Sequence, residues 1–191
     1  MKTNVKPEKQ FVLDYVAENA DALAGVCDSL FWFGEPAMQE ERSAELLSGI
    51  LEDGGFSVER GISGFPTGFM ATYGEGEPVI AVHTEYDAAP NNSQQPGVGE
   101  HAAIVEGAPG HCEGHNVNGA VMISAVMAAR RAMEAHGIKG TLKVFGAPAE
   151  ELILARPYYV RDGYFDDVDV AFHPHLWDRF FTEYGVLQRA V

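Results

Sequence analysis

Apolar residues along the chain switch between two rhythms. From Phe11 to Phe31 they recur at helical spacing, with Leu23, Val26, Cys27, Leu30 and Phe31 on one stripe. Cys27 reads there as a small buried hydrophobe. A second helix follows Pro36, carries Leu46, Leu47, Ile50 and Leu51 on one face, and stops at Gly54-Gly55. Phe56–Ile62 and Gly68–Tyr73 then read as short strands, and Glu75-Gly76-Glu77-Pro78 as a turn. Pro78–Val82 is a continuous apolar run, the mark of a strand buried on both faces. The pattern next predicts a nearly all-apolar helix over Asn116–His136, capped by Asn116 and ended by Gly137. A strand at Thr141–Phe145, a short helix at Leu154–Arg161 and a third buried strand at Val168–Phe172 complete the pattern. Strands alternating with helices predict an α/β sheet with helices on both faces.

Composition narrows the picture. The chain has 191 residues, the size of one domain or one domain plus the start of another. Lys plus Arg number 13 and Asp plus Glu 28, for a net charge of −15. A surface this acidic repels phosphate backbones and anionic lipid, which argues against nucleic-acid and membrane partners. Two cysteines make no disulfide framework, no apolar stretch follows the opening MKTNVKPEKQ, and no run approaches the ~18 apolar residues of a membrane span. The expected compartment is a reducing cytoplasm.

Polar chemistry collects where the apolar runs end. His83-Thr84-Glu85-Tyr86-Asp87 follows one strand, Glu150-Glu151 another and His173-Pro174-His175 a third. His111-Cys112-Glu113-Gly114-His115 precedes the apolar helix. In an open α/β sheet these ends face one crevice, where ligands bind. Imidazole and carboxylate converging there suit Zn²⁺, Mn²⁺ or Co²⁺. One of two adjacent glutamates can ligate the metal while the other acts as general base. Each residue also has a plain structural reading. A Glu pair is favoured at a helix start, His173 and His175 alternate on a strand end, and His115 lies near a helix N-terminus. His101 and His136 keep that plain reading. The long Pro-, Gly-, Asn- and Gln-rich segment Ala88–Cys112 is of a length usually reserved for function or disorder.

Four ordered segments carry a family resemblance: Gly64–Pro90 (GFPTGFMATYGEGEPVIAVHTEYDAAP), Gly110–Ala120 (GHCEGHNVNGA), Gly140–Glu151 (GTLKVFGAPAEE) and Val160–His175 (VRDGYFDDVDVAFHPH). The chain resembles the zinc metallopeptidase superfamily of carboxypeptidase G and aminoacylase. It is most similar to the amidohydrolase branch, which holds hippurate hydrolases, auxin-conjugate hydrolases and the aminobenzoyl-glutamate hydrolases. The resemblance implies a mixed, largely parallel sheet flanked by helices, as in a zinc-exopeptidase catalytic domain. It implies one or two divalent metal ions, with Glu150 as general base, Glu151 and His115 as ligands, and His175 as a further ligand with His173 as the fallback. Asp87 matches the aspartate that buttresses such a site.

Two positions depart from the branch. Glu113 stands where a ligand cysteine is usual, with Cys112 one step earlier, and a carboxylate there favours Mn²⁺ or Co²⁺ over tightly held Zn²⁺. His83 stands where the branch has no histidine ligand, and Glu85 where classical peptidases of the superfamily have one. Both are candidates for an extra ligand or a substrate contact. The expected reaction is hydrolysis of an amide C–N bond in an N-acyl or aminobenzoyl-type small molecule. The alternatives are removal of an amino group from an aromatic ring, as by 5-nitroanthranilic acid aminohydrolase, and an inactive metal-binding or assembly domain. The resemblance further implies a homo-oligomer of about twice this length. Residues 1–180 are then the N-terminal part of the catalytic domain and 181–191 the entry to a lid domain. The family's last histidine ligand would lie beyond Val191.

Overall fold

The computed structural model describes residues 5–177. The reading of 181–191 as the entry to a lid lies outside the described residues. Five strands form one sheet: β1 (Ser57–Arg60), β2 (Phe69–Glu75), β3 (Val79–Thr84), β4 (Gly140–Gly146) and β5 (Val170–Phe172), in the order β1-β2-β4-β3-β5. The pairs β1/β2 and β2/β4 are antiparallel, while β3/β4 and β3/β5 are parallel. The helices are α1 (Pro7–Glu18), α2 (Ala20–Phe33), α3 (Glu41–Asp53), α4 (His115–His136) and α5 (Ala155–Arg161). Helix α4 is the crossover that a parallel β3/β4 pair requires.

Alternation along the strands sends side chains to two cores. Leu142 and Val144 of β4 join Leu30, Leu47, Leu51, Phe69, Met122 and Val126 beneath α2, α3 and α4. Phe145 faces the opposite way and packs with Ile62, Ala81, Ala155 and Tyr159 beneath α5. Gly119 lets α4 close on α2, because a Cβ there would meet Leu30 Cδ1 at 2.6 Å.

Three expectations need correction. The single helix over Phe11–Phe31 is two helices, because Asn19 leaves helical geometry (φ −105°, ψ 13°) and its side chain and main-chain N–H both bond Tyr15 O. Asn116 does not cap α4. The helix starts earlier, behind Gly114 in the left-handed region (φ 93°), and the Asn116 amide lies inside it, donating to Cys27 Sγ. The third buried strand is an exposed sheet edge, with Val170 at 46% and Phe172 at 57% exposure. It pairs on one side only, with β3, among the described residues.

Candidate metal centre

The register of the parallel strands explains why the polar clusters meet. Thr84 lies level with Gly146 and Val82 with Phe172, so the residues that follow each strand emerge along one edge of the sheet. His83 and His173 come out side by side and stack with ring centroids 4.4 Å apart. Glu85 and Asp87 descend from β3 into the interior and are fully buried. Glu150 and Glu151 occupy a short 3-10 turn directly after β4, and α5 begins four residues later at Ala155. The tight turn at Gly114 brings Glu113 and His115 in from the fourth side.

His115 is the centre of the arrangement and is 1% exposed. Its Nδ1 donates to the main-chain oxygen of Asp87 at 3.0 Å, so in the neutral ring Nε2 carries the lone pair. Nε2 lies 3.8 Å from both Glu85 Oε1 and Glu150 Oε2. Burial works against a charged ring, but the Asp87 contact and the carboxylates of Glu85 and Glu113 outweigh it and push the His115 pKa up to about 9. The field that draws a proton onto this imidazole also draws a metal cation.

The surrounding carboxylates are held one by one. Asp87 Oδ2 accepts the Glu151 N–H at 3.0 Å, which anchors the turn carrying the glutamate pair. Asp87 Oδ1 is buried 3.2 Å from His115 Nδ1, whose proton points to the Asp87 main-chain oxygen, so the carboxylate oxygen faces the ring without a hydrogen bond of its own. Glu113 Oε1 is likewise buried, 3.3 Å from His115 Nδ1 and 3.6 Å from His111 Nδ1, with ion-pair contacts and no hydrogen bond. Burial raises the Glu113 pKa, yet His111, the Cys112 thiol and its own N–H outweigh that and hold it at about 2. Cys112 donates to Glu113 Oε2 at 3.1 Å; burial and Glu113 push its pKa to about 11, so it stays a thiol. Burial and then Glu113 raise the Glu151 pKa.

Glu85 has the fullest set of partners. His173 Nε2 lies 2.7 and 2.9 Å from its two oxygens, the Asn118 amide donates to Oε1 at 3.3 Å, and Arg156 reaches Oε2 at 3.3 Å. Burial raises its pKa, but His173, Arg156 and His115 outweigh that and lower it. His175 Nε2 is 3.7 Å from Glu85 Oε1, and its ring meets His115 edge-on at 5.6 Å. His83 is held neutral, its pKa lowered to about 3 first by burial and then by His173 and Arg156.

Three trios bring ligand atoms within 4.8 Å of one another: Glu113–His115–Glu151, Glu85–His115–His175 and His83–Glu85–His173. Every site residue expected from the sequence lies in this cluster or beside it. His101 and His136 lie outside it and are exposed. Sequence reading missed Arg156, Asn118 and Glu40. Arg156 was the legible one, a basic residue on the short helix behind the Glu pair. Glu40 is buried and accepts the Ala149 N–H at 2.8 Å and the Thr67 hydroxyl at 3.0 Å, and no motif around it announces that role.

No family model matches the chain. Among curated proteins it is 35% identical over 175 residues to the B component of the p-aminobenzoyl-glutamate hydrolase of Escherichia coli K12, covering 91% of this chain and 36% of that one. It is 29% identical to the IAA-amino acid hydrolase ILR1-like 6 of Arabidopsis thaliana, covering 86% of this chain and 34% of that one. Among solved structures, the Bacillus subtilis YXEP protein, described as a dinuclear metal-binding peptidase of the M20 family, superposes with a TM-score of 0.67 at 26% identity, covering 81% of this chain and 42% of that one. The chain belongs to the metallopeptidase and amidohydrolase superfamily, in its amidohydrolase branch. It spans about a third of the length of the curated relatives it matches. Its mixed five-stranded sheet flanked by helices is the catalytic-domain fold of that family. No helix among the described residues is long and apolar enough to cross a membrane.

Proposed function

We propose that this chain is part of the catalytic domain of a metal-dependent amidohydrolase, which cleaves the amide C–N bond of an N-acyl or aminobenzoyl-type small molecule. The observation that carries the reading is the donor set itself. Two buried carboxylate oxygens, on Asp87 and Glu113, make no hydrogen bond and lean on the His115 ring at 3.2 and 3.3 Å, while the ring's other nitrogen faces further carboxylates. Leaving such oxygens buried and bare costs about 1–3 kcal/mol each, a cost that a divalent cation offsets. Glu113, His115 and Glu151 would hold one ion, and His175, with Glu85, His173 and His83 nearby, would hold a second. The carboxylate of Glu113 makes the set hard and favours Mn²⁺ or Co²⁺ over Zn²⁺.

Those residues would hold a divalent cation, which when bound would supply polarisation of a carbonyl and a water of pKa lowered towards ~7. Glu150 takes the proton from the attacking water and returns it to the departing amine. It is suited to the task because it is one-third exposed and bonded through one oxygen to Arg156 at 3.1 Å, so its position is defined while it stays accessible. Asp87 orients His115 and the Glu151 main chain. Glu150→Gln should lower turnover of N-acyl amino acids by about 10²–10⁴-fold with bound metal unchanged. Retained turnover in that variant would overturn the assignment.

Residues 1–180 would be the N-terminal part of the catalytic domain and 181–191 the start of a lid that also mediates a cytoplasmic homo-oligomer. The 191-residue piece should then bind metal weakly and turn over little, and full activity from it would refute the division. Glu113 in place of a thiolate favours a second reading, release of ammonia from an aminoarene. Measuring ammonia against amino-acid release separates the two.

A further inference from the structure

We propose that Cys112 is a positioning residue for the metal centre: its thiol holds Oε2 of Glu113, so that Glu113 offers a cation the single oxygen Oε1. The inference rests on the reading of Glu113, His115 and Glu151 as metal ligands. A carboxylate with both oxygens free can turn, and can grip an ion with either oxygen or with both. Glu113 is restrained on one side. Cys112 Sγ donates to Oε2 at 3.1 Å, while Oε1 is buried, makes no hydrogen bond and lies 3.3 Å from His115 Nδ1. His111 walls Oε1 from a further direction. Its side chain is 0% exposed, its Nε2 is pinned 3.1 Å from Leu30 O, and its Nδ1, without a hydrogen bond, lies 3.6 Å from Oε1. The two residues that flank Glu113 thus sort its oxygens. One oxygen is tied to a thiol, and the other is left among buried groups of the type that a divalent cation takes.

Three features separate this role from ligation by the sulfur itself. Cys112 belongs to none of the trios whose ligand atoms gather within 4.8 Å among the described residues, although it bonds a member of one. Its hydrogen bond runs from sulfur to carboxylate, so the sulfur keeps its proton and Glu113 keeps its full charge for an ion. A thiol is also a weak donor, and it fixes Oε2 without neutralising it as a lysine or arginine there would. An outer partner that orients a ligand in this way is worth about 10–100-fold in metal affinity. Cys112 is exposed, so its removal should disturb little packing.

The test is calorimetric titration of Mn²⁺ into the full coding-sequence product, prepared metal-free. Cys112→Ala should weaken binding about tenfold or more, and Cys112→Ser, whose hydroxyl restores a donor to Oε2, should bind close to the parent. All three should melt alike without metal, because a packing role would show there and an orienting role would not. Co²⁺ in place of Mn²⁺ should give no sulfur-to-cobalt charge-transfer band that Cys112→Ser removes. Mn²⁺ binding unchanged in Cys112→Ala, or weakened equally in Cys112→Ser, would overturn the proposal. So would an affinity that falls only in step with a lower metal-free melting temperature, which would assign Cys112 to packing. A cobalt–sulfur band lost in Cys112→Ser would overturn it too, because the sulfur would then be a ligand. Glu113→Gln separates this failure from that of the metal trio, and should bind Mn²⁺ more weakly still. Parent-like affinity in Glu113→Gln, or a parent that binds no Mn²⁺, removes the trio and the proposal with it. Weak binding in Glu113→Gln beside unchanged binding in Cys112→Ala removes the proposal alone.

Discussion

The two halves of the sheet solve opposite problems. The antiparallel half, β1-β2-β4, backs onto α3 with Leu47, Leu51, Phe56 and Phe69, all nearly fully buried and all apolar. Nothing in that cluster asks for a partner beyond close packing. The parallel half, β4-β3-β5, leads into Glu85 and Asp87 and faces His115 at the start of α4, all equally buried and all ionisable. Packing cannot satisfy those groups, and two carboxylate oxygens there make no hydrogen bond and have only ion-pair contacts with histidine rings. One half therefore contributes stability outright. The other crowds carboxylates that His115, His173 and Arg156 offset only in part, and a bound cation would stabilise it further.

That contrast breaks most sharply in the apolar half. Leu51→Ala should cost about 2–5 kcal/mol, read by urea denaturation, while leaving metal preference unchanged in whatever fraction stays folded. Next in size is the response to metal. Saturating Mn²⁺ at 100 times its dissociation constant should raise stability by ~2.7 kcal/mol over chelated protein. The gain should shrink in Asp87→Asn and not in a conservative apolar-core variant such as Leu51→Met. A metal response lost equally in both variants would dissolve the distinction between the halves.

The parallel half was also the more legible in sequence, for a physical reason. Parallel strands send their C-terminal ends to one edge, so His83 through Asp87, the Glu150-Glu151 pair and His173 through His175 could be grouped without knowing any contact. The helices were legible from their periodicity. Their ends were less so, because a terminus is decided by single residues: Asn19 breaks one apparent helix by bonding back to Tyr15, and Gly114 starts α4 ahead of Asn116. Apolar content marked Val168–Phe172 as a strand but could not tell that it is an edge, since burial depends on what packs against it. Arg156 and Asn118 reach Glu85 from distant points in the chain, and no local pattern encodes such a meeting.

Glu40 belongs to both halves and gives the smallest effect. It sits at the start of α3, on the apolar side, yet its carboxylate holds the N–H of Ala149, which has a left-handed backbone (φ 56°) just before Glu150. Burial raises its pKa above the ordinary 4.5, and its own N–H, Ala149 and Thr67 offset this only in part. Folding thus favours the protonated form. The resulting stability is complete below pH 4.5 and fades as pH rises through the raised value. Glu40→Gln keeps an acceptor for Ala149 and removes the titration. The parent's stability relative to this variant should therefore fall as pH is raised from 4.5 towards neutrality, measured by thermal melts across that range. A difference that grows with pH would mean that the ionised carboxylate is the form the Ala149 turn prefers. The electrostatic demand of the parallel half would then extend into α3, and the boundary between the two halves would move with it.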